Sequence, residues 1–284
     1  MPASRRPPVG SEPAAVTPRG PSPAAGDLHR EFSAPHLAAP DDRAGFLRAA
    51  DRLPGFTNVR AAMRRLAPPP EGGVLVDAGC GLGLETERLA VAHPAVTVLG
   101  LDHDRELLAT ARARRAIPNL QWRHGEITTL ELAPESVDVL RTERVLIYVE
   151  DLATAIGSIA SVLRPGGSFA GFELDYGATL LPPRGRSSGW VRRLAACLED
   201  SLPQPWAGRL LPETCAAHGL HVTTVQPYSF LVDHVVWSRI VGRTLRAALD
   251  EGRLEAPAVR LVCVTTAPRT DGRDARSEQP TPHR

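Results

Sequence analysis

No lysine occurs anywhere in the 284 residues, so all 33 basic side chains are arginine. They face 32 acidic residues, and the net charge of +1 leaves no excess of either sign. A balance this close to neutral gives no broad electrostatic footprint for DNA, RNA or an anionic membrane. The arginine bias and the 27 prolines reflect a GC-rich coding sequence more than any demand of the fold. Cysteine is scarce as well: Cys80, Cys197, Cys215 and Cys263 are widely spread and form no C-x-x-C pair. That spacing argues against a disulfide framework or a zinc site and makes a reducing cytoplasm the expected setting. No run reaches the roughly 18 uncharged apolar residues of a membrane helix. The opening Met1-Pro2-Ala3-Ser4-Arg5-Arg6 also lacks the apolar run of a secretory signal. The expectation is a soluble cytoplasmic protein with no metal, no nucleic-acid partner and no membrane insertion.

The hydrophobic content, 43%, is ordinary and rules out disorder throughout, but it is unevenly placed. Residues 1–40 and 269–284 are polar or Pro/Ala-rich without apolar periodicity, and both are expected to be disordered tails. Between them the sequence predicts a single domain over 41–268. Two helical patterns at about 41–66 end at Pro68-Pro69-Pro70. Strand-type runs follow at about 74–76, 96–101, 119–123, 136–140 and 168–173, alternating with helices at about 84–92, 104–114 and 152–163. In the last of these helices Leu152, Ala155, Ile156, Ile159, Ala160 and Leu163 recur at helical spacing, and Pro165-Gly166-Gly167 stops it. Alternation of this kind predicts an α/β fold built from right-handed βαβ units with a mainly parallel sheet. The last third is less regular, with helices expected at about 187–201, 208–217 and 235–250 and strands at about 221–231 and 259–264.

The first strand runs into Asp77-Ala78-Gly79-Cys80-Gly81-Leu82-Gly83, which opens directly into a helix. Glycines at such a junction allow a tight turn and close approach of a ligand, and the helix start offers free N–H groups. A dinucleotide fingerprint would need its third glycine at 84, where this chain has Leu84. Asp77 also suits a ligand with an ammonium group better than a pyrophosphate. Asp102 ends the second strand, where an acid can accept both hydroxyls of a ribose; the alternative is an ordinary solvated or capping residue, a role that also suits Asp104. After the third strand, Glu126 can accept from an exocyclic amine and Ile127 can flank a ring, or His124-Gly125-Glu126 is simply a polar turn.

Taken together these positions resemble the class I S-adenosylmethionine-dependent methyltransferases, well over about 72–175 and more loosely to about 266. Asp77, Gly79, Gly81 and Gly83 look like the family's loop for the methionine portion of the cofactor. Asp102, with His103 beside it, matches the ribose acid. Glu126 stands where the family usually has Asp, followed by Ile127. Asp138 and Val145-Leu146 look like the fourth-strand segment, from which Arg141 is implied to reach the cofactor, and Leu163-Arg164-Pro165-Gly166-Gly167 resembles the turn before strand five. Glu173-Leu174-Asp175-Tyr176-Gly177 and Trp206-Ala207-Gly208-Arg209 resemble bacterial small-molecule enzymes of the ubiquinone/menaquinone and antibiotic-tailoring type.

The resemblance implies a Rossmann-like seven-stranded sheet with helices on both faces and an antiparallel last strand. It also implies an N-terminal helical lid over 41–70, an insert over 178–218 roofing an acceptor pocket, and S-adenosyl-L-methionine as cofactor. The implied reaction is in-line methyl transfer to a small molecule, by a monomer or homodimer. Arg141-Thr142-Glu143-Arg144 replaces the Asn/Asp-Pro-Pro-aromatic motif of base-amino methylases, and no Pro-Cys nucleophile is present there. His218 and His221 read as surface residues, and Trp190, Trp206 and Trp237 as core or pocket lining. Candidates for a catalytic base are Tyr148, Glu173, Asp175 and Tyr176, each equally readable as a cap or rim residue. Glu173 and Asp175 are expected to alternate on strand five and leave the sheet on one face, raising one another's proton affinity. Two other classes stay open: a tRNA or protein methyltransferase, and a protein of this fold that binds the cofactor without methyl transfer, such as a cyclase or scaffold.

Overall fold

The computed structural model describes residues 40–178, 188–229 and 244–254, together with Phe32 and Gly242. The two expected tails, apart from Phe32 and Pro40, lie outside these residues, as do the 259–264 strand and half of the 235–250 helix.

Five strands form one sheet: β1 (Val74–Ala78), β2 (Thr97–Asp102), β3 (Leu120–His124), β4 (Val137–Glu143) and β5 (Leu163–Phe172). Their order is β3-β2-β1-β4-β5, and every neighbouring pair is parallel. The central strands β1 and β4 are buried almost end to end, which is why Val74-Leu75-Val76 and Val137 to Leu140 read as continuous apolar runs. The helices are α1 (Pro40–Asp51), α2 (Pro54–Leu66), α3 (Leu84–Ala92), α4 (Arg105–Arg112), α5 (Leu152–Val162), α6 (Ser188–Glu199) and α7 (Ala207–Ala217). The chain leaves β1 in one direction for β2 and β3 and returns to its other side for β4 and β5. The strand order therefore reverses between β1 and β4, and open α/β sheets bind ligands at the carboxyl ends of strands beside such a point.

Local chemistry sets the element ends. Asp104 caps α4 by accepting from the amides of Glu106 and Leu107, and Asp151 caps α5 through the Thr154 amide. The apolar stripe of α5 is fully buried at Ala155, Ile156 and Ile159. Arg43, fully buried on α1, pairs with Asp104 at 3.0 Å and Glu106 at 2.9 Å and ties the N-terminal helices to the carboxyl edge of the sheet.

Three expectations need correction. β5 starts at Leu163, not Ser168: Leu163 pairs with Val137, and the register then shifts so that Ser168 pairs with Val139. Pro165-Gly166-Gly167 is thus an irregularity inside the strand pairing, with Gly166 at φ +79°. Second, residues 221–229 form no strand, although Val222, Thr223, Thr224 and Val225 favour one; Val222 and Val225 are exposed and have no neighbouring strand to pack against among the described residues. Five strands are present among the described residues, and the strand expected at 259–264 lies outside them. Third, the strand ends at Phe172, so alternation does not govern Glu173 and Asp175.

Candidate functional site

The carboxyl ends of β1, β2 and β4, with α1, enclose a cavity of about 410 Å³, within the range of small-molecule and cofactor sites. Its floor is the loop from Gly79 to Leu82. Gly79, Gly81 and Gly83 all adopt left-handed backbone, at φ +75°, +54° and +67°, which explains the G-x-G-x-G spacing without appeal to a ligand. The Gly79 and Cys80 amides both donate to the Leu101 carbonyl and hold the loop against β2. Gly83 stands off the cavity. A Cβ there would collide with the Trp122 ring, so this position serves packing and the α3 start rather than a cofactor. Gly83→Ala is expected to lower the unfolding free energy by about 2 kcal/mol in urea titration, whereas Gly72→Ala, also left-handed but in open space, should cost about 1 kcal/mol. Equal losses at the two sites would refute the Trp122 contact.

Asp102, 5% exposed, is held from both sides: the Gly81 amide donates to Oδ2 at 2.6 Å and the Asp104 amide to Oδ1 at 2.8 Å. Burial pushes its carboxyl up, against the opposing pull of His103 and these two amides. His103 Nε2 lies 3.0 Å from the Phe32 carbonyl, and its other ring nitrogen 3.5 Å from Asp102. Glu126 is exposed, makes no side-chain cap to the turn Ile127–Thr129, and lines the same cavity as buried Ile127.

The other wall is a charge cluster. Asp77 takes a hydrogen bond from the Thr86 hydroxyl and lies 3.2 Å from Arg141 Nε, so both its oxygens are engaged within the protein. Burial raises its proton affinity, and Arg141 and Thr86 oppose the rise. Arg141, 3% exposed, also reaches Glu85 at 3.1 Å and Glu143 at 3.0 Å. Arg60, from α2, grips both oxygens of Glu143 at 2.6 and 2.7 Å and pairs with Asp51 at 2.8 Å. Burial alone would raise Glu143, but the Arg60 hydrogen bonds and the charges of Arg144, Arg60 and Arg141 hold it at about 2.

The candidate bases separate. Tyr148, in the turn Leu146–Tyr148 after β4, lines the cavity and stacks on Phe32 with ring centroids 5.3 Å apart. Glu173 is turned inward, accepting from the amides of Val145 (3.1 Å), Leu146 (3.0 Å) and Ile147 (3.3 Å). Burial, opposed by those amides, raises its carboxyl to about 7. Asp175 instead forms a two-pronged ion pair with Arg209 at 2.8 and 2.9 Å, away from the cavity. The two carboxylates do not form the mutually coupled pair expected from the sequence, and it is desolvation that lifts Glu173. Among the described residues no group of His, Cys, Asp and Glu could hold a metal, and no helix is long and apolar enough to cross a membrane.

Residues 76–171 match the family described as Methyltransferase domain. The chain carries a class I S-adenosylmethionine-dependent methyltransferase domain. An uncharacterized 37.1 kDa protein in a Streptomyces fradiae transposon is 32% identical to it over 194 residues, covering 66% of this chain and 55% of that protein. Trans-aconitate 2-methyltransferase of Deinococcus radiodurans is 36% identical over 124 residues, covering 42% and 46%. The chain thus spans about half the length of these curated relatives. The solved YcgJ protein from Bacillus subtilis is similar in fold, with TM-score 0.54, 18% identity and coverage of 74% of this chain and 90% of that one.

Further residues of the methyltransferase domain line or support the cavity without any local signal in the sequence. Phe32 lies within the stretch expected to be a tail, yet it closes over the cavity against Phe46 (5.7 Å) and Tyr148. One aromatic in a Pro/Ala-rich segment gives no periodic signal. Thr86, Glu85 and Arg60 were equally hidden, because their partners are 9, 56 and 83 positions away.

Proposed function

We propose that the protein binds S-adenosylmethionine in the 410 Å³ cavity and transfers its methyl group to a small-molecule acceptor of biosynthetic type. The observation that carries this reading is Asp102, a buried strand-tip carboxylate fixed by the Gly81 and Asp104 amides on the cavity wall. So held, it is preorganised to accept the two ribose hydroxyls. Glu126 and Ile127 stand at the far rim for the exocyclic amine and face of adenine, with His103 beside the ribose acid. Gly79 and Gly81 let the backbone approach the methionine portion, and the acid-rich wall of Asp77, Glu85 and Glu143 with Arg141 and Arg60 offers partners for its ammonium and carboxylate.

When bound, the cofactor supplies a methyl group already activated on a sulfonium. What remains for the chain is alignment of the acceptor and exclusion of water. Phe32, Phe46 and Tyr148 shield the cavity mouth. Tyr148 is the candidate to meet the acceptor's reacting group. Glu173 is a positioning residue that fixes the turn bearing Tyr148, and Asp175 with Arg209 orders the outer rim. A small-molecule acceptor is supported by trans-aconitate 2-methyltransferases among the relatives, that of Azoarcus being 31% identical over 153 residues.

Calorimetry is expected to show binding of S-adenosylhomocysteine and none of NAD. Phe32→Ala should weaken S-adenosylhomocysteine about tenfold, the loss of roughly 1.4 kcal/mol of aromatic contact. Absence of S-adenosylhomocysteine binding to the intact chain would overturn the reading. Formation of S-adenosylhomocysteine only with tRNA or protein would move it to a macromolecular acceptor. Cofactor binding without any product would favour a scaffold.

A further inference from the structure

Arg144 follows β4 directly and is left-handed, at φ +58°, a conformation that non-glycine residues adopt at a cost. The surroundings hold it there. Its amide donates to the Phe172 carbonyl at 2.8 Å, and Glu173 anchors the next three residues through their amides. The side chain that results lies with its guanidinium carbon 4.6 Å from the centre of the Phe56 ring. It lines the cofactor cavity and also the hollow beyond it along the end of β5, a double position shared with Phe46 and Tyr148.

The charge on this guanidinium is poorly answered. Among the described residues its acid partner is Glu143, at 3.4 Å, and its Nε is buried without a hydrogen-bond partner. Glu143 already accepts from Arg60 at 2.6 and 2.7 Å and from Arg141 at 3.0 Å. Arg60 has Asp51 in addition, and Arg141 has Asp77 and Glu85. Arg141 Nε is likewise buried without a hydrogen bond, but it lies 3.2 Å from Asp77. Arg144, whose acid partner is shared and 3.4 Å away, is therefore the arginine of this cluster with the least answered charge, in a strained conformation, between the cofactor cavity and the space beyond. Buried guanidinium groups call for an anion, and a planar fork suits a carboxylate. A singly charged acid matches a single spare guanidinium better than a dianion does.

We propose, resting on the methyl-transfer reading, that Arg144 recognises the acceptor, and that the acceptor is a small carboxylic acid. Its charged end meets this guanidinium and its apolar body lies against Phe46, Phe56 and Tyr148. Benzoate and benzamide, which differ in charge but hardly in shape, are suitable probes, titrated into the full chain saturated with S-adenosylhomocysteine. Benzoate is expected to bind at least tenfold more tightly than benzamide. Arg144→Met should abolish that preference, and Arg144→Lys should keep part of it, while S-adenosylhomocysteine affinity changes less than threefold in both. Arg144→Gly removes the same guanidinium but relaxes the left-handed backbone, so a folding defect of the Met variant would not obscure the result. Equal binding of the two probes, or a preference that survives in Arg144→Gly, would overturn the proposal. So would an equal loss of S-adenosylhomocysteine, which would place the guanidinium on the cofactor's own carboxylate. If the wild type fails to bind S-adenosylhomocysteine at all, the methyl-transfer reading falls first and this proposal with it.

Discussion

Glu173→Ala is expected to lower the unfolding free energy by about 3 kcal/mol, measured by urea denaturation at pH 6. The carboxyl group sits at the end of β5 with 9% of its surface exposed and accepts from three consecutive amides, those of Val145, Leu146 and Ile147. Removing the acceptor leaves buried donors unsatisfied, at about 1–3 kcal/mol each, with some of that cost recovered by water or by relaxation of the turn. Arg144 and Tyr148 flank these three amides, so cofactor-site order should suffer along with stability. A loss below about 1 kcal/mol would mean that the turn is held by its packing at Leu146 and Ile147, both fully buried, rather than by the carboxyl group.

The pH dependence separates this role from that of an ordinary salt-bridged acid. Burial raises Glu173 from an ordinary 4.5 to about 7, so between these values the folded chain binds the proton more tightly than the unfolded chain does. Its contribution to stability is complete below about pH 4.5 and is lost as the pH rises through about 7. Glu143 runs the other way: lowered to about 2, it contributes fully above about pH 4.5, and its contribution is lost as the pH falls through about 2. Glu173→Gln, which cannot titrate, should therefore flatten the fall in stability between pH 5 and 7.5 relative to wild type. An unchanged slope would assign that fall to Asp77 and Asp102, whose carboxyls burial also raises.

What could be read from the sequence was local. The helix over 84–92, the G-x-G-x-G turn and the acid at the tip of β2 are each written in a few adjacent residues, and each stands where the spacing placed it. Glu173 and Asp175 show where such reading stops. Two acids two residues apart look like partners on a strand, yet the strand ends one residue earlier, and each acid finds a partner about thirty positions away: the amides at 145–147 and Arg209. Likewise Arg141-Thr142-Glu143-Arg144 spells only the absence of another family's motif, whereas the fold makes its three charged members part of one buried cluster with Arg60 of α2. Phe32 needed the tertiary structure altogether, since nothing near it in sequence marks it as ordered.

Asp102→Ala is expected to weaken S-adenosylhomocysteine about a hundredfold by calorimetry, the largest binding loss of any single change at the site. Two hydroxyl hydrogen bonds to a charged acceptor contribute about 3 kcal/mol together, and 1.4 kcal/mol corresponds to a factor of ten. The carboxylate also has a second task in the free protein. Its Oδ2 holds the Gly81 amide and its Oδ1 the Asp104 amide, and Asp104 in turn binds buried Arg43 at 3.0 Å. One acid thus connects the glycine loop to the helix that closes over the cavity. Asp102→Asn tests both tasks at once: its amide nitrogen cannot accept from either backbone donor, so one end of the bridge must break however the group is turned. The Asn variant should therefore bind nearly as poorly as the Ala variant despite its similar size. Binding within threefold of wild type in Asp102→Ala would show that the strand tip is not the ribose site. Weak binding in Ala with near-normal binding in Asn would instead show that hydroxyl recognition needs neither the charge nor the bridge to Gly81.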